Sequence, residues 1–147
     1  MMDKNENAQK VVVNLKTTIF QDAEREDFIF EEVGSLVQMN NGLYLRFTEH
    51  QDNQAVANVT LKITDEHVQL TRQTNGGHHS RMIFDENKDH DTIYQTEYGP
   101  IKILVKTKEL NYDYNEDIMN GKLEIDYELH SGGMIVGEYN LTLQFSA

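Results

Sequence analysis

Three long stretches in the last third of the chain alternate so strictly that they leave one local geometry. Ile101, Ile103, Val105 and Thr107 alternate with Lys102, Leu104, Lys106 and Lys108. Leu123, Ile125, Tyr127 and Leu129 alternate with Lys122, Glu124, Asp126, Glu128 and His130. Ile135, Gly137, Tyr139, Leu141, Leu143 and Phe145 alternate with Met134, Val136, Glu138, Asn140, Thr142 and Gln144. A period of two puts each set on its own face of a strand, one buried and one wet. Asn120-Gly121 and Ser131-Gly132-Gly133 are turn formers that join the three strands into an antiparallel meander.

The same reading extends upstream. Val11, Val13, Leu15, Thr17 and Ile19 mark a first strand, and the charged run Gln21–Asp27 predicts a turn or loop. Phe28 and Phe30 share a face, but the alternation breaks at Val33-Gly34-Ser35, which predicts either a bulge or two short strands. Asn40-Asn41-Gly42 signals a hairpin, followed by Leu43, Leu45 and Phe47 on one face and a polar loop at His50–Gln54. Val59, Leu61 and Ile63 lead through a turn at Thr64-Asp65-Glu66 to Val68, Leu70 and Arg72. Asn75-Gly76-Gly77 is a further turn, Met82 and Phe84 begin the next strand, and Asp85–Asp91 is a loop. Tyr94, Thr96 and Tyr98 precede Gly99-Pro100, where the lone proline suits a strand start. No segment carries apolar residues at helical spacing. The chain is therefore expected to be all-β: a disordered leader over 1–9, then one antiparallel up-and-down β-barrel of about 8–10 strands over 10–147. Short consecutive connections favour that barrel over a Greek key, which needs a long crossing connection.

Composition narrows function by exclusion. Thirteen basic and twenty-five acidic side chains leave a formal charge of −12, a field that repels phosphate backbones and anionic headgroups. Nucleic acid and membrane surfaces are thus poor partners. The 147-residue chain has no cysteine, which removes disulfides, thiolate catalysis and cysteine-ligated metals. The first ten residues are polar and no apolar run nears a membrane span, so a cytoplasmic location is expected. No cofactor is expected, and no motif specifies an oligomeric state.

Beyond the periodicity, particular residues carry a resemblance. Val68-Gln69-Leu70-Thr71-Arg72, Arg81-Met82-Ile83-Phe84, Tyr94 to Gly99, Gly121-Lys122-Leu123-Glu124-Ile125-Asp126-Tyr127 and Gly137-Glu138-Tyr139-Asn140-Leu141-Thr142-Leu143 together resemble the YwiB-like family of small bacterial proteins, a domain of unknown function. The resemblance spans about residues 10–146. It implies a calycin-like (lipocalin-like) barrel in a bacterial cytoplasm and transfers no catalytic residue. Gly76-Gly77-His78-His79 departs from the family's turn.

Candidate sites follow from register. Arg72 is in phase with Val68 and Leu70 and points inward, either to anchor a carboxylate or phosphate of a small ligand or to close one barrel end, bonded to carbonyls or an acidic partner. Tyr127 and Tyr139 face inward too, with Tyr94 and Tyr98 as further candidates; they either line a pocket or fill the core. His78, His79 and His90 do not form a convincing metal set, because neighbouring residues on a strand point apart. Asp113, Asn115, Asp117 and Glu124 match the spacing of a calcium loop, yet Ile118 stands where that loop needs glycine and the flanks are strands. Ser80 beside His79 lacks the context of a nucleophile elbow.

Two functional classes remain. One is a non-enzymatic barrel that binds a small, partly apolar, anionic or polar-ended molecule near Arg72, Tyr98, Tyr127 and Tyr139. The other is a structural or regulatory protein that binds another protein through its surface or rim, for which Met134 and Val136 on the polar face of the last strand are the hint.

Overall fold

The structure is a computed structural model and describes residues 8–39, 41–50, 56–74, 79–96 and 98–147. Ten strands run in chain order: β1 (Ala8–Gln21), β2 (Glu24–Met39), β3 (Gly42–Glu49), β4 (Ala57–Ile63), β5 (Val68–Thr74), β6 (His79–Phe84), β7 (His90–Thr96), β8 (Gly99–Asn115), β9 (Asn120–Ser131) and β10 (Met134–Ser146). All belong to one antiparallel sheet in the order β6-β5-β4-β3-β2-β1-β10-β9-β8-β7. Every neighbour is a chain neighbour except β1 beside β10, the signature of an up-and-down meander curled so that its ends approach. At the seam the Thr92 hydroxyl on β7 donates to the Arg81 carbonyl on β6, and the Asp85 amide donates to Thr107 Oγ1 at 3.0 Å. The result is a nearly closed calycin-like barrel.

Its interior has two halves. At one end Val13, Leu36, Leu45, Ile63, Leu123, Ile125, Leu143 and Phe145 are buried and packed together, with Tyr112 and Tyr114 stacked beside them at 6.4 Å between ring centroids. This close-packed half supplies the core on which the other half is held open.

Several local expectations change. Gln21–Asp27 is mostly strand: only Asp22 and Ala23 turn, both at positive φ (52° and 64°), as a two-residue hairpin turn requires. Charge there did not signal a loop, because this hairpin end is exposed on both faces. At Gly34 β2 runs through unbroken, pairing Val11↔Gly34 and Gly34↔Phe47. The glycine permits close approach, since a Cβ there would lie 2.5 Å from the Arg46 carbonyl oxygen. Real register shifts occur between Thr107 and Glu109 on β8 and between Ile135 and Gly137 on β10. The second bulge turns Val136 against the core and leaves Ile135 exposed, so only Met134 of the anticipated outer pair stays outside. Residues 1–7 of the expected leader lie outside the described residues, while Ala8 and Gln9 are already part of β1. The turn at 75–77, His78 and most of the loop after His50 also lie outside them.

Candidate functional site

The second half of the barrel encloses a cavity of about 460 Å³. Its walls are laid down by alternation on successive strands: Leu15, Thr17 and Ile19 from β1, Phe28 and Phe30 from β2, Leu70 and Arg72 from β5, Tyr127 and Leu129 from β9. Most of the lining is apolar, with polar groups restricted to a few positions, the composition expected of a small-molecule site. A larger hollow of about 630 Å³ lies elsewhere, beside the β8–β9 turn, bounded by Asn14, Asp113, Asn115, Glu116 and Lys122. Its walls are mostly polar, with Tyr114 and Phe145 as exceptions, and open to solvent, so it offers little apolar surface to bury.

Arg72 stands where its register predicts. Its Nη2 donates to Glu49 Oε2 at 2.8 Å. The Glu49 side chain is only 7% exposed and the Arg72 side chain 41%, so the acid is held inside and the guanidinium reaches toward the mouth. Arg72 Nε is buried and has no hydrogen-bond partner. Arg72 is thus paired to an inward acid while one of its donors is unused. Ser80, directly opposite Arg72 on β6, also lines the cavity.

Tyr127 and Tyr139 form the aromatic wall. Their rings stack at 5.0 Å between centroids and 7° between planes, and Phe84 tilts against Tyr127 at 4.6 Å. Burial pushes both phenols above their ordinary range; Tyr139 adds to the effect at Tyr127, and the Arg72 charge works against it. Tyr94 lines the cavity from β7. Tyr98 does not: Thr96 pairs with Gly99, which puts Tyr98 in the hairpin turn, 92% exposed. The alternation on β7 ends before reaching it.

Glu49 was missed by sequence reasoning, although its signal is present. It continues the phase of Leu43, Leu45 and Phe47, one step beyond the last apolar residue of that strand. The other polar clusters lie elsewhere. His90 Nε2 bonds Asp85 Oδ2 at 3.3 Å, Asp117 caps the β8–β9 turn through its amide to Asn115 Oδ1, and His79 is exposed at the start of β6. Among the described residues no group of three or more His, Asp or Glu converges as a metal set would.

Comparison with known proteins places this geometry. The family model described as a domain of unknown function, DUF1934, matches residues 13–143. The chain belongs to that family. The crystal structure of the ywiB protein from Bacillus subtilis superposes with a TM-score of 0.81, covering 96% of this chain and 93% of that one at 20% identity. At that identity the likeness speaks for the fold, and it agrees with the YwiB-like resemblance seen in the strand and turn residues. No curated protein matches the chain. No helix among the described residues is long and apolar enough to cross a membrane.

Proposed function

We propose that this member of the family is a non-enzymatic carrier or sensor that takes a small, mostly apolar molecule into the barrel, with the ligand's polar end at Arg72. The observation that carries the reading is the cavity of about 460 Å³ with the unused Arg72 Nε donor in its wall. A buried donor without a partner leaves part of its desolvation cost unrepaid, and a ligand acceptor would restore it. The Arg72–Glu49 pair also selects the kind of acceptor. A ligand carboxylate would sit beside the Glu49 carboxylate, whereas an uncharged carbonyl, hydroxyl or ether meets no such repulsion. The reading therefore favours a neutral polar end over the anionic one. Tyr127, Tyr139 and Tyr94 would flank the apolar body; Tyr98 has no part. A cytoplasmic location belongs to the same proposal, in keeping with a cysteine-free chain.

The test is titration with the neutral, environment-sensitive dye N-phenyl-1-naphthylamine. Its emission should rise on the native protein and fail to rise on folded variants with the cavity filled by Ser80→Phe or Val136→Trp. Equal emission from native and filled proteins would place the dye outside the barrel and reject the reading.

A further inference from the structure

The cavity gathers the chain's aromatic rings. The chain has seven tyrosines and six phenylalanines, and seven of these rings line this one chamber. They come from three sectors of the barrel: Phe28 and Phe30 on β2 with Phe47 on β3, Tyr127 on β9 with Tyr139 on β10, and Phe84 on β6 with Tyr94 on β7. Strand β1 separates the first sector from the second, and β8 the second from the third. In the strand order β2 and β7 stand half a circuit apart, so rings approach the chamber from opposite walls. Val59, Leu61 and Leu70 supply an aliphatic sector on β4 and β5, the side that also carries Arg72.

The rings hold one another in place. Tyr127 and Tyr139 are within 7° of parallel at 5.0 Å, and Phe84 tilts against Tyr127 at 4.6 Å. Phe84 and Tyr127 are both buried, which leaves them no room to turn. A wall of fixed planes suits a flat partner, which meets the rings in offset or edge-to-face contact. A flat ligand also surrenders little internal freedom on entry, whereas an alkyl chain has to freeze its rotors.

We propose, resting on the assignment of this cavity as a ligand site, that the ligand is a planar conjugated molecule with a neutral oxygen at one end, selected over flexible acyl and alkyl chains by the aromatic walls. The oxygen meets Arg72 Nε, beside Ser80 on β6. The flat body lies between Phe28 and Phe30 on one wall and Tyr94 on the other.

The test is a competition between two alcohols of equal carbon number, 2-naphthalenemethanol and 1-undecanol, each titrated against N-phenyl-1-naphthylamine on the native protein. Each carries one primary hydroxyl. Undecanol is the more hydrophobic, so burial of apolar area alone ranks it first. The aromatic walls reverse that order, and 2-naphthalenemethanol should displace the dye at a concentration at least about tenfold lower. Phe28→Leu/Phe30→Leu, at two half-buried positions, should reduce that ratio to about threefold or less. The ratio is independent of the dye's own affinity, so a weaker dye signal in the variant does not distort it. Equal or tighter binding of undecanol to native protein that binds the dye would overturn the inference and leave the cavity as a ligand site. A ratio unchanged in the leucine variant would overturn it too. Failure of the native protein to bind the dye would reject the ligand site and this inference together.

Discussion

Glu49 and Arg72 meet inside the barrel at 2.8 Å, on strands that are not neighbours, with β4 between them. The contact spans the cavity wall and ties an almost fully buried acid to a half-exposed base. Taking away the base removes the charged partner of a buried acid, while taking away both leaves little to desolvate. Arg72→Ala should therefore lower stability by roughly 1–3 kcal/mol. Glu49→Leu combined with Arg72→Leu should recover most of that loss. Urea unfolding of the single and double variants measures the difference; equal losses in both would mean that the pair is energetically idle.

Gly34 makes a separate prediction. A methyl group there would meet the Arg46 backbone carbonyl at 2.5 Å, and that carbonyl belongs to the β2–β3 ladder and cannot move alone. Gly34→Ala should cost about 1–3 kcal/mol. Gly132→Ala meets nothing within 4 Å, but its φ of +59° adds backbone strain, so it is no neutral control. The cleaner comparison is Ser35→Ala on the same strand, which should unfold at nearly the native urea midpoint.

Acid stability should depend on Glu128. Its carboxylate is bonded by Lys108 Nζ at 2.6 Å and by His130 Nε2 at 2.9 Å, and these contacts, Lys108 foremost, hold its pKa below the ordinary 4.5. A depressed folded pKa means that the unfolded chain binds the proton first as pH falls. The stabilisation is present above pH 4.5 and is lost as pH drops through the lower folded value. The stability gap between native protein and Glu128→Gln should accordingly be widest above pH 4.5 and close on acidification. A gap independent of pH would contradict it.

At the alkaline end the buried tyrosines contribute, Tyr112 and Tyr114 as well as the stacked pair Tyr127 and Tyr139. Burial raises Tyr127 and Tyr139 above the ordinary 10.0, so their contribution is complete below pH 10 and is lost as pH climbs through the folded values. The double variant Tyr127→Phe/Tyr139→Phe should lose less stability than the native protein across that window. Parallel decline in the two proteins, followed by urea midpoints, would show that other groups govern alkaline unfolding.

How much of this was legible depended on phase. Leu123 to Leu129 and Leu141 to Phe145 alternate without a break, and the strands, turns and barrel followed from them. Arg72, Tyr127 and Tyr139 were found by the same count, because each lies inside an unbroken run. The bulge at Val136 was missed: one extra residue shifts the phase, Ile135 and Val136 are both aliphatic, and Gly137, the residue type that could have marked the shift, was counted as a regular inward position. Tyr98 failed for the opposite reason, since a period-two count does not say where a strand stops. Glu49 shows the bias of reading acids as surface residues. Its phase pointed inward, but its charged partner Arg72 lies 23 positions away.

The most direct measurement of the central claim is native mass spectrometry of the protein purified gently from its own cells, beside folded Ser80→Phe. A discrete adduct of a few hundred daltons, the size that a cavity of about 460 Å³ can hold, is expected on the native protein and not on the filled variant. The bare chain mass in both, together with no response to the neutral dye, would contradict it.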